Sequence, residues 1–197
     1  MMNTLSKILV IVLSLNFIAC ASTQTAKLIG SPTDQQILKY EQGRQLFVSH
    51  GIKSTIGLNL SMEPIQPEDS FDCYIAVVNN STEAFNFSTD NIIFQCGQKK
   101  IHVYHPEEAL LEQKKKTELN FVGISPGDIL GLTPQLTDYY ERRNQELSEY
   151  SKSLLRAQTV LPKSVFGGVV RIAFPSCKNK MELIVIAGDE IHRFEFK

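Results

Sequence analysis

The sequence predicts a mainly β chain, an antiparallel sandwich interrupted by a pair of helices, and three observations predict it. Short apolar stretches alternate with period two and end in turn residues. One central segment switches to helical spacing and composition. The length, 197 residues, suits a single domain, and 43% hydrophobic residues supply a core. A formal net charge of −1 leaves neither a basic surface for nucleic acid nor an acidic tail for a basic partner.

The N-terminal stretch "ILVIVLSLNFIACAS" stands apart from this pattern. Lys7 and the free amine precede an apolar core of eight residues, Ile8 to Leu15, broken only by Ser14, and small residues follow. That layout suits an export signal, and the run is too short for a hydrocarbon core of roughly 30 Å. Phe17-Ile18-Ala19-Cys20 resembles the lipobox of bacterial lipoproteins, with Phe17 where Leu is commoner. The resemblance implies a signal peptide over 1–19, acylation of Cys20, and a lipidated N-terminus and tether over 20–38. A plain signal peptide with an incidental Cys20 is the alternative. Ala21 rather than Asp follows the cysteine, so the expected location is the outer membrane, facing the periplasm or the cell surface. The lipid anchor makes the membrane the first expected partner, with other envelope proteins next.

The domain is expected over 39–197. A short helix is predicted around Asp34 to Gly43. Leu46, Val48, Ile52, Ile56, Leu58 and Leu60 then keep near-period-two spacing, with "HG" at 50–51 as a turn. "SFDCYIAVVNN" is the strongest strand, with Phe71, Cys73, Ile75 and Val77 on one face. Strands follow in "AFNF", "NIIFQC" and "IHVYH". The last set is "VFGGVVRIAF", "MELIVIAG" and "EIHRFEF", the final two forming a hairpin about Gly188-Asp189.

Between these sets lies a helical insertion at about 106–158. Pro106, Glu107 and Glu108 open the first helix and lysines close it, as the helix dipole prefers. In the second, Leu136, Tyr140, Arg143, Leu147, Tyr150 and Leu154 recur at heptad-like intervals, Arg143 being the discordant member. Such a seam either packs on the chain's own sheet or offers Leu136, Tyr140, Leu147, Tyr150 and Leu154 to a partner helix.

Removing Cys20 from the thiol count leaves Cys73, Cys96 and Cys177, and three cannot all pair within one chain. Cys96 and Cys177 each precede hairpin-tip sequence, and Cys73 lies inside a strand. A Cys96–Cys177 disulfide is the expected pairing in an oxidising compartment, with three reduced cysteines the alternative.

"YEQGRQLFVSHG", "VVNNSTEAFNFSTDNI", "KKIHVYHPEEAL" and "VLPKSVFGGVVRIAFP" resemble a group of Gram-negative lipoproteins with an immunoglobulin-like antiparallel β-sandwich and an inserted α-helical hairpin. The resemblance covers about residues 39–175 and implies a fold and a location. Lys163 stands where that group carries glycine after proline. No activity of the group maps onto a residue of this chain.

The residues themselves offer little chemistry. Asn79, Asn80 and Ser81 suit turn hydrogen bonding, Phe85 and Phe87 suit the core, and Gly167 and Gly168 suit close packing. His102 and His105 are the best metal candidates, but an odd spacing of three puts them on opposite faces of a strand, and no third ligand has suitable spacing. Ser49 and His50 are adjacent and face apart, which is wrong for proton transfer. No catalytic residue, metal or cofactor is expected. The leading expectation is a non-enzymatic binding or scaffolding lipoprotein. The alternatives are an accessory lipoprotein of a secretion or surface apparatus, and an envelope metal-handling protein or enzyme using His102 and His105.

Overall fold

Ten residues from Ser70 to Asn79 form the longest described strand because apolar side chains at alternate positions must face one core. The computed structural model describes residues 28–33, 36–61, 65, 69–119, 133–174, 177 and 180–196; the side chains at 117–119, 133–137 and 139 lie outside the description. The strands are β1 (Gly30–Ser31), β2 (Gln36–Glu41), β3 (Arg44–His50), β4 (Ser54–Ser61), β5 (Ser70–Asn79), β6 (Phe85–Phe87), β7 (Ile92–Cys96) and β8 (Lys99–Ile101). Helices α1 (Pro106–Leu119) and α2 (Thr133–Ser153) follow, then β9 (Gln158–Val160), β10 (Val165–Ala173), β11 (Met181–Ala187) and β12 (Glu190–Phe196). The protein is mainly β, with antiparallel sheets and two helices among the described residues.

One five-stranded sheet has the order β1-β12-β11-β7-β8 and the other β10-β5-β4-β3-β2; β6 and β9 form a separate pair. The two larger sheets share one core. Phe47 of β3 meets Phe194 of β12 edge-on at 5.0 Å, and Phe71 of β5 meets Phe94 of β7 at 5.9 Å. Ile56, Leu58, Cys73, Ile75, Val77 and Val185 fill the space between them. Phe87 is buried and Phe85 packs against the same cluster, since residues two apart on a strand share a face.

Three local expectations need correction. The segment expected to be a short helix around 34–43 contributes β2, whose turn to β3 passes through Gln42 and Gly43 with φ of 48° and 74°. Positive φ at both turn residues is the geometry that matches strand twist in a two-residue hairpin. The face of β3 is the reverse of the expected one: Gln45, Phe47 and Ser49 are buried, and Leu46 is exposed. The reason is that polar Gln45 and Ser49 have buried hydrogen-bond partners, which the apolar alternation of Leu46 and Val48 does not reveal. The fold also begins earlier than the tether boundary at 38 implies, with Leu28 buried and β1 and β2 both before or across it.

Other elements follow their sequence closely. The turn after β5 is closed by Asn79, whose Nδ2 donates to the carbonyls of Glu83 and Val160 at 2.8 and 3.1 Å, and whose Oδ1 accepts from the Ser81 amide at 3.0 Å. Lys163, in the place of the expected glycine, adopts φ 59°, so that turn does use the left-handed region. Gly168 is required by close approach: a Cβ there would lie 2.7 Å from the Leu155 backbone.

Candidate functional site

Three polar constructions tie the helices, the sheets and the N-terminal segment together. At the first, Arg171 of β10 is buried and reaches across to Asp72, its register partner on β5. Nε and Nη2 donate to the two carboxylate oxygens at 2.8 and 2.9 Å, a bidentate pair. The second Nη2 contact goes to Gln113 Oε1 of α1 at 2.8 Å. The ring of Tyr150 from α2 lies under the guanidinium at 5.0 Å, and its hydroxyl donates to Asp72 at 3.1 Å. Burial and then the Asp72 charge push the Tyr150 phenol up, so it stays a donor. One ion pair thus holds both helices to the sheet.

The second construction joins the sheets. Ser54 Oγ donates to Glu190 Oε2 at 2.7 Å and therefore accepts from His192 Nε2 at 2.8 Å. That places the imidazole proton on Nε2, and Nδ1 accepts from the Ser49 hydroxyl at 3.0 Å. Glu190 also accepts the amides of Ile52, Lys53 and Ser54 at 2.7–2.9 Å. Burial raises the Glu190 carboxyl, but these hydrogen bonds outweigh it and hold the acid below its ordinary range. Burial lowers His192, against the opposing charge of Glu190, which favours the neutral ring. The relay borders an open cleft of about 620 Å³ lined by Ser49, His50, Gly51, Ile52, Glu190, Ile191 and His192. Three of the four Glu190 partners are backbone amides, so the carboxylate acts chiefly as a clamp on the β3–β4 turn. Sequence reasoning missed it because Ser49 and Ser54 lie 143 and 138 residues from His192.

The third construction fixes where the N-terminal segment joins the fold. Gln45, fully buried, donates Nε2 to the Leu28 carbonyl at 2.5 Å and accepts the Gly30 amide at 2.9 Å. Leu28 itself sits in the core.

The expected site residues fall as follows. Cys20 lies outside the described residues. Cys96 and Cys177 are joined in a disulfide with their Cα atoms 6.3 Å apart, and Cys73 is a buried thiol that burial pushes far above its usual range. The proposed partner-helix face is divided. Leu154 is buried and bridges Val169, and Tyr150 is engaged by Asp72 and Arg171, so these two serve the chain's own sheet and are corrected as partner contacts. Leu147 is half-buried, Tyr140 is 45% exposed, and the Leu136 side chain lies outside the description.

His102 and His105 are each turned to a separate carboxylate: His102 Nε2 is 3.3 Å from Glu108, and His105 Nε2 is 3.6 Å from Asp90. Among the described residues no group of three His, Cys, Asp or Glu could hold a metal ion, and no helix is long and apolar enough to cross a membrane. Comparison with protein families, with curated proteins and with solved structures found no match to this chain.

Proposed function

We propose that the chain is a lipoprotein of the bacterial cell envelope, anchored in the outer membrane through acylated Cys20. Its immunoglobulin-like sandwich, with an inserted α-helical hairpin, serves as a non-enzymatic binding or scaffolding module for envelope proteins. The observation that carries this reading is the Cys96–Cys177 disulfide, which closes a span of 81 residues. Such bonds persist in exported proteins and are rare where thiols are kept reduced. It supports the same compartment as the apolar run that ends at Cys20.

The accessory role in a secretion or surface apparatus shares this anchor and is a narrower version of the same reading. The metal or enzyme reading is weaker, because His102 and His105 are engaged by different acids. Membrane fractionation tests the proposal: the native chain sediments with outer membranes and is released only by detergent, whereas Cys20→Ala leaves it in the soluble or uncleaved precursor fraction. A native chain that is soluble after cell disruption contradicts it.

A further inference from the structure

The β2–β3 edge carries apolar side chains that the core does not use. Ile37, Tyr40 and Leu46 are 47%, 52% and 39% exposed, and Ile29, between the two residues that Gln45 holds, is 46% exposed. Ile37 and Leu46 point the same way, because their register partners Val48 and Lys39 lie on that outer face. Tyr40 stands opposite buried Gln45, the residue that grips Leu28 and Gly30, and so points to the other face from Ile37 and Leu46. Exposed Lys39 and Arg44 belong to the same two strands, with Glu41 opposite Arg44.

This edge is the outermost strand of its sheet, and β1 is the outermost strand of the other. Gln36 Nε2 donates to the Arg193 carbonyl of β12 at 2.6 Å, so the two edges lie side by side. An exposed apolar edge strand invites unwanted pairing unless something covers it.

The chain that precedes the fold limits what can cover it. Eight residue steps separate Cys20 from buried Leu28. Fully extended they reach about 26–29 Å. A domain of this size has a radius of gyration of about 15 Å, so a lipid held at Cys20 keeps this edge near the bilayer.

We propose that the β2–β3 edge, through Ile37 and Leu46 flanked by Lys39 and Arg44, is a membrane-docking surface that lies on the phospholipid headgroups. The inference rests on acylation of Cys20. Aliphatic side chains enter the headgroup boundary, and the two cations meet phosphates. The opposite edge, β10, lies four strand spacings away, about 19 Å, and faces the periplasm or exterior.

The test uses the full acylated chain on phosphatidylcholine vesicles containing about a quarter phosphatidylglycerol. An environment-sensitive fluorophore is placed by Ile37→Cys, by Leu46→Cys, and by Val165→Cys on β10. Quenching by brominated lipid at 37 and 46, at least severalfold stronger than at 165, is the expected result. Hydrogen–deuterium exchange of the unaltered chain supplies a check free of labelling, with β2 amides slowed on vesicles relative to detergent. A vesicle-bound chain whose 37 and 46 labels remain as accessible to aqueous quencher as 165 overturns the docking surface and leaves the anchor standing. Shielding that appears without lipid and grows with protein concentration assigns the edge to a second copy and also overturns it. Vesicle binding unchanged by Cys20→Ser removes the anchor and this inference with it.

Discussion

The first and last hairpins of this protein are built alike and placed oppositely. β2–β3 and β11–β12 each join two strands of six or seven residues through a two-residue turn, and they meet across the core where Phe47 touches Phe194 and Phe196. The C-terminal hairpin lies inside its sheet, flanked by β1 and β7, and Met181, Leu183, Val185, Phe194 and Phe196 are all buried. The N-terminal hairpin lies at an edge and places apolar residues on both faces, only one of which the core covers. Apolar alternation therefore reports which residues want to leave water, and the neighbouring layers decide which of them do.

The largest contrast between the hairpins lies in truncation. Phe194→Ala should cost about 3–5 kcal/mol in urea unfolding, and Leu46→Ser less than about 0.5 kcal/mol. A large loss at Leu46 would show that the edge is core rather than docking surface. Replacing Cys96 and Cys177 together by alanine should cost roughly 2–5 kcal/mol, since the bond closes a long loop and pins the start of β11, where Met181 pairs with Cys96. An unchanged midpoint under reducing and non-reducing conditions would contradict that role.

Gln45→Leu sharpens the comparison from the other hairpin. It strands the Leu28 carbonyl and the Gly30 amide, so a loss of about 1–3 kcal/mol is expected, with faster proteolytic cutting near residues 28–33. The wild-type cutting pattern in the variant would show that Gln45 does not hold the segment.

His192 links the two hairpins, and its effect depends on pH. Its folded pKa is depressed, so its contribution is present above about pH 6.5 and is lost as pH falls toward the folded value. Stability should decline below pH 6.5 by at most about 1.4 kcal/mol per pH unit, and His192→Gln should flatten that slope. Glu190, also depressed, adds a second loss only below about pH 4.5. A slope that persists in His192→Gln would assign the titration elsewhere. A small effect is expected at Lys163→Gly, outside both hairpins, where relief of the left-handed backbone opposes greater unfolded-chain freedom. A change within about 1 kcal/mol of wild type is predicted, and thermal melting measures it.

The C-terminal hairpin, β4 and β5 were legible in the sequence because apolar side chains recur at alternate buried positions, His192, Ser54 and Asn79 being the exceptions. The pairing of Cys96 with Cys177 was legible from their places at hairpin tips. β2 was not, because Gln36, Lys39 and Glu41 serve an edge strand as readily as a helix. The strand β3 was, but its buried face was not, because that face contains Gln45 and Ser49, whose partners Leu28 and His192 come from other strands or from the segment before them. The helix seam was half legible: Tyr150 and Leu154 are apolar for the chain's own sheet. The His192 relay left no local pattern, since three of its four members are common polar residues far apart in the chain.

In the proposed reading Cys20 carries the anchor, and the bridged domain begins eight residues later at Leu28. Intact mass measurement of the chain extracted from membranes by detergent, without reductant, tests this most directly. The account predicts a protein that begins at Cys20, carries acyl chains on that residue, and has the Cys96–Cys177 bond intact. A chain that keeps residues 1–19, or begins at an unmodified residue, would contradict it.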